Sequence, residues 1–180
     1  MKHVMRLLAV LMIPAVLLLG GCSHKTDNAN PDNATISDQC PDQPTGHFAK
    51  TKFATNVGLG VGAFQHWIWS PYQNGAFKDG APGRTLAFVK AGAAGLFVKH
   101  QITAATNNVK SDPALCKVLA APLAKIGNSI QGAIDDLKKG NLNSLTALNG
   151  TIGMLGPLAA KVGVPFTPNQ NANIFDKAAA

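Results

Sequence analysis

The sequence predicts an all-α protein, a single bundle of about four helices that ends in an antiparallel helical hairpin. Apolar residues recur at spacings of three and four, as on one face of a helix, and no segment sustains the two-residue alternation of a strand. Turn-forming residues separate these segments at intervals of about 25 to 30 residues. The helical part is about 120 residues long, which is enough for one hydrophobic core, so we expect one domain.

The first helix is predicted from about Phe48 to Tyr72. One stripe of its surface is large and apolar, and this stripe consists of Phe53, Val57, Val61, Phe64, Trp67 and Ile68. Gly58, Gly62 and Trp69 lie together on the flank of the stripe. Because glycine has no side chain, we expect this notch to admit a neighbouring helix closely.

The second helix is predicted from about Arg84 to Val109. Its two apolar faces consist of Leu86, Val89, Ala93, Leu96 and Phe97 on one side and of Ala91, Gly95, Val98 and Ile102 on the other. A helix with two apolar faces is expected in the middle of a bundle. His100 projects onto the first face, where a lone histidine is usually a hydrogen-bonded core residue; a ligand-binding or proton-transfer role is the alternative.

The third helix is predicted to start with Asp112 as its N-cap and Pro113 at its first position. Proline is favoured there because the N–H that it lacks would have no partner in the helix. Lys138 and Lys139 lie in the last turn, where cations suit the helix dipole, and Gly140 can adopt the left-handed stop.

The fourth helix is predicted to be capped by Asn141 and to extend to about Val162. A short connection to the third helix makes these two an antiparallel hairpin. Pro122 and Pro157 are each expected to kink their helix.

The N-terminus has the pattern of an export signal. Lys2, His3 and Arg6 precede an apolar run of about 13 residues, too short for a membrane-spanning helix of roughly 20. The run ends in the sequence Leu-Gly-Gly-Cys at 19–22, which resembles the lipobox of bacterial lipoproteins. The resemblance covers residues 1–22 and implies cleavage before Cys22 and acylation, palmitate included, of that cysteine. Two or more acyl chains give stable membrane residence.

Composition divides the chain into four parts: a signal peptide (1–21), a lipidated cysteine with a flexible acidic linker (22–45), a basic helical domain (46–164) and a flexible tail (165–180). The linker has one Lys and four Asp, whereas the domain has twelve Lys or Arg and four Asp. A basic domain suits contact with anionic lipid or anionic wall polymer, and a generally soluble surface without a specific partner is the alternative. Nucleic acid is not an expected partner, because the predicted localisation is the cell membrane or envelope, outside the cytoplasm.

The three cysteines agree with export. Lipid on Cys22 would leave Cys40 and Cys116 as a pair in a compartment where thiols oxidise. We therefore expect a disulfide between them; two separately buried thiols are the alternative. No cysteine or histidine spacing indicates a metal site.

The densest aromatic stretch surrounds His66, and it contains Phe64, Trp67, Trp69 and Tyr72. This stretch fits a ligand pocket or a membrane-interface belt. The alternative is a well-packed helix end. Arg84 follows Gly83 at a helix start that is either anion-receptive or a plain turn. The preceding loop, from Gly75, together with the helix that it leads into, resembles stretches in small secreted or lipid-anchored bacterial helical proteins of unassigned function.

Catalytic motifs are not found in the sequence. Residues 58–63 fit the glycine pattern of a dinucleotide site, but no strand precedes them, so helix packing is the better interpretation. Asp135 and Asp136 are adjacent on a helix, which points them about 100° apart. No cofactor is expected.

Two hypotheses for the function follow. The first is a non-enzymatic envelope lipoprotein, anchored by lipid on Cys22, whose basic domain contacts an envelope protein, anionic lipid or wall polymer. The alternative is a small-ligand carrier or minor enzyme with a cavity near Gly58, Gly62 and Trp69 that uses His66 or His100.

Overall fold

A computed structural model describes residues 40–171, and this part of the chain is helical without any strand, as predicted. The elements are α1 (Ala49–Phe64), a π-helical turn (Gln65–Trp69), α2 (Ser70–Gln73), α3 (Arg84–Val109), α4 (Pro113–Lys138), α5 (Asn143–Gly153) and α6 (Leu155–Lys161). The first three form one continuous helical segment. The predictions that concern residues 1–39 and 172–180, including lipidation of Cys22, lie outside the described residues.

Helix α3 packs between α1 and α4 through a face of small residues. Ala91, Ala94, Gly95 and Ala105 are buried on this face, together with Val98 and Ile102. A Cβ atom on Gly95 would lie 2.9 Å from Cγ1 of Ile134 on α4, so glycine permits the close approach of these two helices. The large side chains of the core come mainly from the neighbours, for example Phe53 and Phe64 of α1 and Leu119 of α4.

The ends of α4 are as predicted. Oδ1 of Asp112 accepts hydrogen bonds from the backbone N–H groups of Ala114 (2.9 Å) and Leu115 (3.0 Å), and Pro113 is the first helical residue. At the other end Gly140 has a φ of 74°, and the N–H of Asn141 donates to the carbonyl of Asp136 in a Schellman motif. Pro122 lies inside α4, and the helix continues through it.

The fourth predicted helix is two helices, α5 and α6, separated at Met154. Pro157 explains the break, because it has no N–H to donate to the carbonyl of Gly153. The hairpin of α4 with α5 is present, and α6 also packs on α4. Oδ1 of Asn141 accepts from the N–H of Asn143, although the residue directly before α5 is Leu142.

The glycine notch of α1 holds the segment 165–171, not a neighbouring helix. The N–H of Asn169 donates to the carbonyl of Gly58 at 2.9 Å, and a Cβ on Gly58 would lie 2.8 Å from the carbonyl oxygen of Thr167. A Cβ on Gly62 would overlap the backbone of Asn169. Phe166 is half-buried against the core. Residues 165–171, the first part of the predicted tail, therefore lie on α1, because these two glycines leave space for the backbone.

Cys40 and Cys116 form a disulfide, as expected, with their Cα atoms 5.6 Å apart. Cys116 is buried in the first turn of α4, so the bond ties the start of the described chain to the core. A backbone hydrogen bond from Thr45 to the carbonyl of Ser111 (2.9 Å) holds the same segment a few residues later.

Gly62→Ala is expected to lower the free energy of unfolding by about 1–3 kcal/mol, because the added methyl group displaces segment 165–171. Gly132→Ala is the matched control, since a Cβ there meets nothing within 4 Å, and it should be neutral or stabilising by up to about 1 kcal/mol. Urea unfolding followed by circular dichroism measures both. Equal effects of the two variants would contradict the role given to the notch.

Replacing both Cys40 and Cys116 with Ser is expected to lower the free energy of unfolding by about 4 kcal/mol, the entropic value for a loop of this length. The measurement is urea unfolding with and without dithiothreitol. Reductant should destabilise the native chain and leave the double variant unchanged. A native chain that is insensitive to reductant would show that the bond contributes little.

Candidate functional site

The described surface has two features that a partner or ligand could use. One is a cleft of about 660 Å³ beside the π-helical turn, and the other is an exposed apolar stripe along α3. We call the first the amide cleft, because Gln65, Gln73, Asn149 and Gln170 are among the residues that line it.

Three parts of the chain form the amide cleft. The π-helical turn and α2 supply one wall, with Gln65, His66 and Trp69 among its residues, and α5 with α6 supplies the facing wall. The third wall is the segment that contains Phe166, Pro168 and Gln170. The Nε2 group of Gln170 donates to Oε1 of Gln65 at 3.2 Å, which joins the third wall to the first. The packing of segment 165–171 on the notch therefore builds the cleft.

The π-helical turn sets the direction of the aromatic side chains. The N–H of Ser70 donates to the carbonyl of Gln65, one residue farther than in an α-helix. Pro71 favours this irregularity because it has no N–H for the helical ladder. Trp69 lies in the cleft wall and stacks on Phe64, with the ring centroids 6.4 Å apart, and Tyr72 supports its ring at 5.3 Å. The turn thus fixes Trp69 as a rigid, half-exposed surface.

Of the residues that sequence analysis assigned to a ligand cavity, the structure brings His66 and Trp69 together in the cleft. Gly58 and Gly62 lie beneath segment 165–171, so they shape the cleft without lining it. His100 is not part of the cleft. The four amide residues were not predicted from the sequence, because glutamine and asparagine on the polar side of a helix or in a polar tail are ordinary surface residues.

Trp67 faces the other side of the turn. The Nζ atom of Lys90 lies 5.4 Å from the centroid of the Trp67 ring, a cation–π distance. Both residues line a shallow pocket of about 350 Å³ that reaches Leu86 of α3. Trp67 therefore borders the α3 stripe, whereas Trp69 borders the cleft.

The α3 stripe consists of Leu86, Val89, Ala93, Leu96 and His100, and all five are exposed. The exposed fractions of Leu86, Val89 and Leu96 are 56%, 64% and 61%. The expectation that both apolar faces of α3 are covered in the middle of the bundle is therefore wrong for this face. The physical reason is that α1 and α4 both pack on its other face, and no described element lies over the stripe. His100 is exposed as well, so it is not a core histidine.

Charge on α3 is entirely basic. The helix contains Arg84, Lys90 and Lys99 and no acid. At 100° per residue Lys90 and Lys99 project on opposite sides of the stripe, about 80–100° from its centre. The stripe therefore has a cation on each flank.

The flank toward α4 is a polar chain. The Nζ atom of Lys99 donates to Oε1 of Gln131 at 2.6 Å, and Nε2 of Gln131 donates to Asp135 at 3.0 Å. This amide hydrogen bond, with a smaller contribution from Lys138, holds the pKa of Asp135 below its usual value. Gln131 thus bridges Lys99 on α3 and Asp135 on α4.

Arg84 is engaged by its own loop. Its Nε donates to the carbonyl of Phe77 at 2.9 Å, one terminal nitrogen lies 3.0 Å from Asp79, and the guanidinium stacks over Phe88 at 4.9 Å. Gly83, with a φ of 70°, makes the turn into α3. Arg84 therefore holds the 75–83 loop against the helix that follows.

Within residues 40–171 no group of His, Cys and Asp side chains has the arrangement of a metal site. In the same range no helix has both the length and the apolar character needed to cross a bilayer. A comparison with known protein families gave no match, and searches of curated proteins and of solved structures found no significant similarity.

Proposed function

We propose that the protein is a non-enzymatic, lipid-anchored envelope protein whose helical domain docks on an anionic bilayer through the α3 stripe. The observation that carries the proposal is the stripe itself, an exposed apolar row flanked by Lys90 and Lys99 on a helix without acids. Interfacial helices bind membranes by this combination of apolar side chains and basic flanks.

The charge of the surroundings supports an anionic partner. Residues 46–164 carry twelve Lys or Arg and four Asp. Asp79 and Asp135 form salt bridges with Arg84 and Lys138. Of the two lysines that flank the stripe, Lys99 donates to the neutral amide of Gln131 and Lys90 lies over the Trp67 ring, and their helix contains no acid. A second copy of this helix would bring like charges together, so self-association through the stripe is the less favoured alternative.

The position of the predicted anchor is compatible with docking through the α3 stripe. A lipid on Cys22, which the resemblance to the lipobox implies, would be separated from Cys40 by seventeen residues, which span at most about 60 Å. The α3 helix of 26 residues is about 39 Å long. It ends near the disulfide that joins the domain to the tether, the linker segment between Cys22 and Cys40. The tether therefore allows α3 to lie along the bilayer, and the high local concentration makes weak docking sufficient.

Cys22→Ala is expected to abolish acylation. Intact-mass measurement of the protein from membranes should give a native chain that begins at Cys22 and carries acyl groups, and these groups should be missing from the variant. A native mass without acyl groups would contradict the proposed anchor. Docking through the α3 stripe would then depend only on the vesicle-binding experiment described next.

The variant with Leu86→Ser, Val89→Ser and Leu96→Ser is expected to bind phosphatidylglycerol vesicles at least about tenfold more weakly, because three apolar side chains no longer enter the interface. Flotation of a chain that starts at Ser23 separates this binding from the anchor, and circular dichroism checks its folding. Met154→Ser is the control, since Met154 is 52% exposed and lies between α5 and α6 instead of on α3.

Docking should weaken as the salt concentration rises, because salt screens the attraction between the flanking lysines and the anionic head groups. It should also be weaker on vesicles of phosphatidylcholine, which has no net charge. Absence of binding by the native stripe would contradict the proposal. So would a concentration-dependent dimer that the triple variant abolishes, since this result would assign the stripe to self-association.

A further inference from the structure

The amide cleft is a second candidate site, on a different side of the π-helical turn from Trp67 and the α3 stripe. Its described lining contains one histidine, His66, and no Lys, Arg or Asp, although the domain has many lysines. Its volume of about 660 Å³ falls in the range of roughly 300–1,000 Å³ of small-molecule sites. The ligand that fits such a lining is uncharged.

The polar groups of the lining specify a ligand with both donors and acceptors. A primary amide has a carbonyl acceptor and two N–H donors, and four of the lining residues, distributed over all three walls, carry one. Gln65 and Gln170 are joined to each other, which orients one amide pair. Gln73 of α2 and Asn149 of α5 belong to two different walls of the cleft.

The aromatic groups of the lining favour a ligand with a flat apolar face. Trp69 is held by Phe64 and Tyr72 and is half-exposed, and Phe166 is half-buried in the third wall. A pyranose ring has such a face of C–H groups, surrounded by hydroxyl groups that donate and accept. An acetamido substituent adds an amide that pairs with a side-chain amide in both directions.

The facing wall has room for the ligand. Gly153 and Gly156 line the cleft, and a Cβ atom on either would meet nothing within 4 Å. Neither has a positive φ, so glycine is not needed there for the backbone. Larger side chains at these positions would occupy the cleft.

We propose that the amide cleft binds a neutral N-acetylated saccharide, with Trp69 against the sugar face and the amides of Gln73 and Asn149 on its polar groups. This binding is independent of the α3 stripe and of lipid on Cys22. A tethered domain with both features would hold a glycan segment close to the bilayer.

The experiment titrates the trimer of N-acetylglucosamine into the full chain, purified in a detergent that has no sugar head group. Calorimetry gives the affinity. The tryptophan fluorescence of the Trp67→Phe variant, whose remaining tryptophan is Trp69, reports the environment of that residue. The expected Kd is about 1 mM or tighter. The glucose trimer, which has no acetamido groups, should bind at least about tenfold more weakly, since unpaired amides would remain in the cleft.

Gly153→Leu is expected to weaken binding at least about tenfold, because the side chain fills the cleft. Gly150→Leu is the matched control on the same helix, since it also meets nothing within 4 Å and does not line the cleft, and it should bind normally. Gln73→Ala changes an exposed side chain and provides a second test that does not depend on helix α5.

Three results would overturn the proposal. The first is the absence of saturable binding by the native chain up to about 10 mM, well above the expected Kd. The second is equal affinity for the two trimers, and the third is binding that neither Gly153→Leu nor Gln73→Ala reduces.

Discussion

The close packing of α3 between α1 and α4 is the contact on which the rest of the structure depends. It requires the small face of α3, where Gly95 meets Ile134 and alanines replace larger side chains. Because both neighbours use this one face, the opposite face with Leu86, Val89 and Leu96 remains uncovered. The exposed stripe is therefore a consequence of how the core packs. Its basic flanks favour binding to anionic surfaces.

Close approach to glycine also builds the amide cleft. Segment 165–171 lies on α1 only because Gly58 and Gly62 leave space for its backbone, and in that position it brings Phe166 and Gln170 opposite α5. The π-helical turn contributes the remaining wall, since Pro71 disturbs the regular ladder just where Trp69 must turn outward. The cleft thus depends on a proline and two glycines that do not themselves line it.

Sequence patterns correctly predicted the helix ends, because these depend on local interactions of the backbone and of nearby side chains. The bounds of α3, the cap at Asp112 and the stop at Gly140 follow from glycine, proline and side-chain capping, and the structure has all three. Periodicity shows that a face is apolar but not which element covers it, so both apolar faces of α3 were expected to be buried. The signals for the break at Met154 and for the π-helical turn were Pro157 and Pro71, whose effects depend on the backbone N–H groups that they lack. The course of segment 165–171 depends on tertiary contacts, which polar composition does not reveal.

The disulfide has a mechanical consequence. A pull on the chain from the N-terminal side of Cys40 passes through the bond to Cys116 and so into the buried first turn of α4. The covalent loop between the two cysteines, which contains α1, the π-helical turn and α3, carries no tension. Force applied to the chain before Cys40 therefore bypasses the helices that form the cleft wall and the stripe. We expect these helices to stay folded until α4 itself is pulled out of the core.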